Sequence, residues 1–347
     1  MLTKKQVKEI KEHLEKAQNP IFFFDNDPDG LCSFLLLQRY VGRGKGVAIK
    51  SFPEMNAEYF RKVTELNADY IFILDKPIVS SAFFEEAKNF NVPVVWIDHH
   101  DVQVKVPDFV YYYNTSLNRF KKNEPVTYLC YKITQRKEDL WLGVVGCVSD
   151  RYVPDFYPEF LKLYPDLAIK VKDAFDIFYN SQIGKIVKIS GFALKDRISN
   201  VVKMIKFLTI VKSPYEVLEE SSKNHEMHLR FKQIYQKYQK LLEKAKAFTN
   251  ENKVLFFQYG GDLSISADLS NELSYLFPQK VIVVVYITGM KANISVRGKK
   301  IRSIVLEAIK EIEGATGGGH ENAVGCRMKI EDLGRFRESI EKLSYKV

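Results

Sequence analysis

Cysteine is scarce in this 347-residue sequence, and the four present, Cys32, Cys130, Cys147 and Cys326, stand far apart with no CxxC pair. That spacing gives no support to a zinc site and predicts reduced thiols in the core. An apolar run of membrane-spanning length is also missing, and the N-terminal LTKKQVKEIKEHLEKAQNP is an amphipathic helical pattern rather than a secretory leader. The expectation is a cytoplasmic protein with no membrane partner. Neither a G-x-x-x-x-G-K-[ST] loop nor a G-x-G-x-x-G fingerprint occurs, so nucleotide-driven motor work and dinucleotide redox chemistry have no support. Internal repeats and low-complexity tracts are absent as well.

The composition, 46% hydrophobic and 27% charged, is that of an ordinary globular protein, and the length predicts two domains. The net charge of +9 is concentrated. Residues 181–250 hold 14 Lys and Arg against 6 Asp and Glu, which accounts for nearly all of the excess. A basic middle segment can line a groove that tracks phosphates, or it can be a solvated helix face.

Three short apolar runs, IFFFD at 21–25, YIFILD at 70–75 and VVWID at 94–98, read as buried strands of a parallel sheet, and each ends in aspartate. Helical patterns at 31–40, 57–66 and 81–90 separate them, giving the β-α-β alternation of a doubly wound α/β domain. In such folds ligands bind beyond the carboxyl ends of the strands, so Asp25, Asp75 and Asp98 are expected along one rim. Residues 120–200 read as helical and complete an N-terminal domain over 1–200. A basic helical linker follows at 201–250, with an apolar stripe through Met227, Phe231, Ile234, Tyr238 and Leu242. A smaller C-terminal α/β domain is expected at 251–347, with strands at KVLFFQY, KVIVVVYI, ANISVRG and AVGCRMKI.

The densest chemical signal is FDNDPDG at 24–30, which sets Asp25, Asp27 and Asp29 at alternate positions after a buried strand. Carboxylates so close repel one another, and cations between them relieve the repulsion. The competing reading is an acidic turn that caps the next helix, with Gly30 easing the bend. DHHD at 98–101 adds imidazoles to strand-end acids, a donor mixture suited to Mn²⁺ or a similar borderline ion. Asp75 and Asp150 each follow an apolar run, and alone each reads as a cap or turn residue. Together this constellation has room for two ions about 3.5–4 Å apart, the arrangement that serves in-line phosphoryl displacement. In GATGGGHENAVG at 314–325, glycines before His320 offer backbone N–H groups to a phosphate, or simply form a hairpin loop. Arg297, ending ISVRG, is placed for a bidentate phosphate contact or for plain solvation.

Taken in order, FDNDPDG, Asp75, the DHH at 98–100 and Asp150 resemble the four motifs of the DHH phosphoesterases, and GGGH at 317–320 resembles the motif of the associated DHHA1 domain. The resemblance covers most of the chain. It implies a hydrolase with an Mn²⁺ or Mg²⁺ pair in the first domain and a substrate-binding second domain. By motif position Asp25, Asp27, Asp75, His99 and Asp150 are the implied metal ligands. His100, which would contact the scissile phosphate, and Asp29 are the implied catalytic residues, while Arg297, Gly317, Gly318, Gly319 and His320 would hold the neighbouring phosphate or terminal nucleotide.

Within the family the spacing DNDPDG resembles the RecJ-like single-strand exonucleases, and the compact length resembles their archaeal members. That implies a substrate of single-stranded DNA or RNA, 3′→5′ polarity, and replication or repair proteins as partners. The chain departs from the family pattern at Phe23, where the first motif usually carries histidine. Two other readings remain: a phosphoesterase of short oligoribonucleotides, cyclic dinucleotides or 3′-phosphoadenosine phosphate, and an inactive replication scaffold.

Overall fold

The strand-forming runs are set by side chains whose alternate residues face opposite sides of one sheet. In Pro20–Asp25 (β1), Phe22 and Phe24 pack their rings against Phe34, while Phe23 meets Phe83 edge-on. All of these rings are buried, so both faces of the strand are covered. A parallel sheet requires this, because its crossover helices must lie on both sides.

The computed structural model describes residues 1–344 other than 52, 102, 119–122 and 250. The last three residues of the expected C-terminal domain, residue 250 of the basic segment and residues 120–122 of the expected helical stretch therefore lie outside the described residues. The chain forms two compact units, Met1–Lys232 and Gln233–Val347, and the division falls inside the helix His225–Ala247. Residues 201–232, expected within a linker, thus pack with the first unit.

In the first unit the strands after β1 are Lys45–Ile49 (β2), Glu54–Met55 (β3), Tyr70–Leu74 (β4), Ile78–Val79 (β5), Val94–Asp98 (β6) and Val110–Asn114 (β7). The main sheet has the order β2-β1-β4-β6-β7 and is parallel throughout, and β3 and β5 form a separate small pair. The doubly wound expectation holds, with β2 and β7 as further strands at the edges. Helix Ser81–Asn89 lies in the core on one face with Ile71, Ile73, Val94 and Trp96. Helix Pro28–Val41 lies on the other, backed by Val126–Thr134 and Leu140–Ser149. Every crossover therefore delivers the carboxyl ends of β1, β4 and β6 side by side.

The second unit carries Val254–Gly260 (β8), Val281–Thr288 (β9), Lys291–Arg297 (β10), Thr316–His320 (β11) and Ala323–Lys329 (β12) in a mixed sheet of order β11-β12-β10-β9-β8. Only the β8/β9 pair among the described strands of this sheet is parallel. Helices Ile301–Ile309 and Leu333–Ser344 close one face through Val305, Phe336 and Ile340. The stripe expected on the long helix is buried as Met227, Phe231, Ile234, Tyr238 and Leu242. Among the described residues no helix is long and apolar enough to cross a membrane, and all four cysteines are buried free thiols.

Candidate metal centre

Asp25 closes β1, and the chain then turns through Asn26 into Asp27, which caps helix Pro28–Val41 by accepting the Gly30 N–H at 2.9 Å. The turn is so tight that a Cβ on residue 30 would lie 2.5 Å from the Asp25 carbonyl oxygen, so glycine is required there. Asp75 follows β4 with φ of +62°, and its N–H donates to the Ile97 carbonyl across the sheet. Asp98 ends β6, with His99 and His100 directly after it, and Asp150 terminates the helix Leu140–Ser149.

These positions converge. His99 is buried between two acids, its Nε2 3.3 Å from Asp75 Oδ1 and its Nδ1 3.8 Å from Asp150 Oδ2. Donor atoms of Asp29, Asp75 and His99 lie within 4.8 Å of one another, as do those of Asp75, Asp98 and His100. Asp75 Oδ1 is buried and accepts no hydrogen bond among the described residues. Desolvation, followed by the charges of Asp29 and Asp27, pushes the Asp75 carboxyl well above its ordinary range. Part of Asp27 reaches solvent, yet its carboxyl is enclosed, and desolvation with the charges of Asp25 and Asp29 raises it to about 8. Asp29 is raised to about 6, first by burial and then by Asp150. Burial works against a charge on His99, but Asp75, Asp150 and Asp29 together hold its pKa well above the usual value. An enclosed set of carboxyls that are costly to ionise on their own, beside one buried imidazole, fits a divalent cation.

The five expected ligands and the two expected catalytic residues do not stand alike. Asp29 has both oxygens occupied: Oδ2 accepts from Val126 N–H at 3.0 Å and Oδ1 from Thr127 N–H at 2.8 Å. It thereby caps the helix Val126–Thr134, whose own Pro125 supplies no side-chain cap. His100 Nδ1 donates to Asp98 Oδ1 at 2.7 Å, which sets the ring orientation and the tautomer. Asn114 steadies the same corner through Asp98 Oδ2 at 3.3 Å and the His100 carbonyl at 2.9 Å. Asp25 Oδ1 is 2.9 Å from the ammonium of Lys76, a residue with no solvent exposure. The sequence reading missed Lys76, Asp98 as an orienting group, and Asn114. A lysine inside ILDKPIV was the available signal for the first, and nothing local marked the third.

In the second unit GGGH is not a loop but the edge strand β11, paired through Gly318 with Gly325 of β12. Gly319 has φ of +142°, and a Cβ there would lie 2.4 Å from the Ala323 carbonyl oxygen. The register sets Arg297 and His320 opposite the same residue, Ala323, from its two neighbouring strands. Side chains directly opposite share a face, so arginine and imidazole stand in one row about 10 Å apart. Arg297 is held by Nε donating to Asn271 Oδ1 at 2.6 Å. Nothing lies within 4 Å of a Cβ built on Gly318 or Gly325, which leaves bare backbone beside that row.

Residues 236–345 match the family model of the DHHA1 domain. No curated protein matched the chain. Among solved structures, RecJ from Thermus thermophilus in complex with Mn²⁺ superposes with a TM-score of 0.69 at 15% identity, over 99% of this chain. This chain spans 54% of that RecJ. An exonuclease RecJ bound to manganese gives 0.65 at 16% identity, covering 99% of this chain and 94% of the other. A pGpG-specific phosphodiesterase, PggH, from Vibrio cholerae gives 0.50 at 13% identity, with coverage of 95% and 99%. At such identities the likeness is one of fold, and that fold serves substrates as different as a polymer and a dinucleotide. The C-terminal unit is a DHHA1 domain, and the chain as a whole has the DHH–DHHA1 fold of RecJ-like proteins.

Proposed function

We propose that this protein is a metal-dependent phosphodiesterase acting as an exonuclease on single-stranded DNA or RNA. The observation that carries it is the gathering of Asp27, Asp75, His99 and Asp150 from strand and helix ends, with the buried Asp75 Oδ1 3.3 Å from His99 Nε2. These four would hold Mn²⁺ or Mg²⁺, the ions named for the RecJ structures of like fold. When bound, such an ion supplies Lewis acidity towards phosphate oxygen and lowers the pKa of water.

The chain's own residues then have separate tasks. Asp98 holds His100 by Nδ1, so that Nε2 meets the scissile phosphate, donating to it when the ring is charged. Asp29, expected to act catalytically, would position the metal-side loop through its caps on Val126 and Thr127. On the second unit Arg297 and His320, in one row beside the bare backbone of Gly318, suit a phosphate, while Gly317 and Gly319 are packed against Cys326 and Ala323 and shape the strand that carries them. Resemblance to the compact RecJ-like nucleases gives 3′→5′ as the direction, and replication or repair proteins as partners.

A second reading has its own support. In the basic segment Lys203, Arg230, Lys232, Lys237 and Lys246 are ion-paired to Glu226, Asp196, Glu220, Asp262 and Glu243, which weakens a continuous phosphate track and favours a short substrate. The deciding experiment follows oligonucleotides of DNA and RNA labelled at either end, beside dinucleotides, with Mn²⁺ or EDTA. A metal-dependent ladder shortening from the 3′ end is expected. Hydrolysis of dinucleotides alone would establish the second reading, and inertness towards both would leave the scaffold.

A further inference from the structure

Lys76 is the most deeply buried cation beside the candidate centre, with 0% of its surface exposed. Its Nζ lies 2.9 Å from Asp25 Oδ1 and donates to the Ser51 carbonyl at 2.9 Å, while its own carbonyl accepts from Trp96 Nε1 at 2.9 Å. Both ends of the residue are therefore tethered. Burying an ammonium costs several kcal/mol unless a carboxylate sits against it. The pair with Asp25 is thus a fixed part of the fold rather than a surface encounter.

We infer that Lys76 is a built-in cation of the centre: its ammonium holds Oδ1 of Asp25 and supplies there the positive charge a second ion would bring, so that the chain binds one divalent ion where two are expected. This rests on the metal-centre reading above. The remaining donors agree with it. Asp29 spends both oxygens on backbone N–H groups, and Asp98 spends Oδ1 on His100 and faces Asn114 and Tyr112 with Oδ2. Phe23, two residues before Asp25 on the same face of β1, packs its ring against Phe83 and Tyr59 and offers no ligand atom. Asp27, Asp75, His99 and Asp150 are left, enough for one six-coordinate ion that keeps positions for water and substrate, and too few to enclose two. Lys76 does not reach solvent, so it acts by charge balance and by positioning Asp25, not by touching substrate.

The test is a count of bound Mn²⁺ on the whole chain, by elemental analysis after gel filtration from excess metal, together with its electron paramagnetic resonance spectrum. Wild type is expected to carry one ion with the six-line signal of isolated Mn²⁺. Lys76→Met, close in volume but uncharged, is expected to carry two, with an exchange-coupled signal. Should that variant fail to fold, Lys76→Gln, which keeps a donor for the Ser51 carbonyl, takes its place, and the wild-type count stands as a test on its own. Two ions on wild type would overturn the inference while leaving the metal-centre reading intact. One ion on the folded variants would overturn the part given to Lys76. No ion on wild type would instead overturn the metal centre itself.

Discussion

Asp75 adopts a left-handed backbone conformation at the point where β4 delivers it to the site, a conformation that aspartate and asparagine tolerate better than other residues with a Cβ. Asp75→Asn keeps that tolerance and the side-chain volume while removing the charge. Hydrolysis is expected to fall at least about a hundredfold, more than the loss usual for groups that only support a ligand, with an unchanged circular dichroism spectrum. Wild-type rates in this variant would remove Asp75 from the site. On the second unit, Arg297→Lys keeps the charge but loses the planar fork, and His320→Ala removes the imidazole. Both are expected to raise KM more than they lower kcat in steady-state kinetics on an oligonucleotide. An unchanged KM in both would put substrate binding elsewhere. The individual acids were readable in the sequence because Asp25, Asp75, Asp98 and Asp150 each follow an apolar run and Asp27 and Asp29 alternate directly after the first. Their division of labour was not, since Asp27 and Asp29 look alike in FDNDPDG and differ only in what comes to meet them.

Secondary-structure elements in the first unit are tied by one buried charge cluster away from the metal centre. Asp139 has no exposed side-chain surface and is ion-paired twice, its Oδ1 2.7 Å from Arg39 Nε and its Oδ2 2.9 Å from Arg136 Nε. Arg39 also donates to the carbonyls of Leu208 and Val211, so helix Pro28–Val41 is fastened to the end of helix Ile198–Ile210. Asp139→Leu leaves two guanidinium groups facing an apolar side chain, one of them buried. A loss of about 3–5 kcal/mol in denaturant unfolding is expected, the usual cost of removing one partner of a buried pair, with metal binding retained in the folded fraction. A loss below about 1 kcal/mol would mean that the cluster relaxes into solvent. Elements with strong periodicity, such as helices Ser81–Asn89 and His225–Ala247, stand where the pattern predicted them. The edge strand Thr316–His320 was hidden because glycine has little intrinsic preference for strands and only the pairing with β12 extends it.

For the whole molecule, the candidate centre couples stability to pH and to metal. Asp27 and Asp29 are raised in the fold to about 8 and about 6 from an ordinary 3.8, so the metal-free fold favours their neutral forms. Raised carboxyls are neutral in folded and unfolded chains alike below about pH 4, and the cost of ionising them in the fold grows as pH climbs towards 8. His99, also raised, acts in the same direction as its proton is lost. The gain in Tm on adding Mn²⁺ to the EDTA-treated protein is therefore expected to increase from pH 5 to pH 8, read by scanning fluorimetry. A gain independent of pH would show that the ion binds away from these groups. The doubly wound sheet and the rim of acids followed from the sequence alone, because strand periodicity, strand-ending aspartates and glycine at a sharp turn are all local properties. Tertiary structure decided which acid remains available: Lys76 meets Asp25 from 51 positions away, Asp29 meets Val126 and Thr127 from 97 and 98, and Arg297 and His320 share one row only through the register of β12. Pairings at that separation depend on how layers pack, and no window of neighbouring residues carries them.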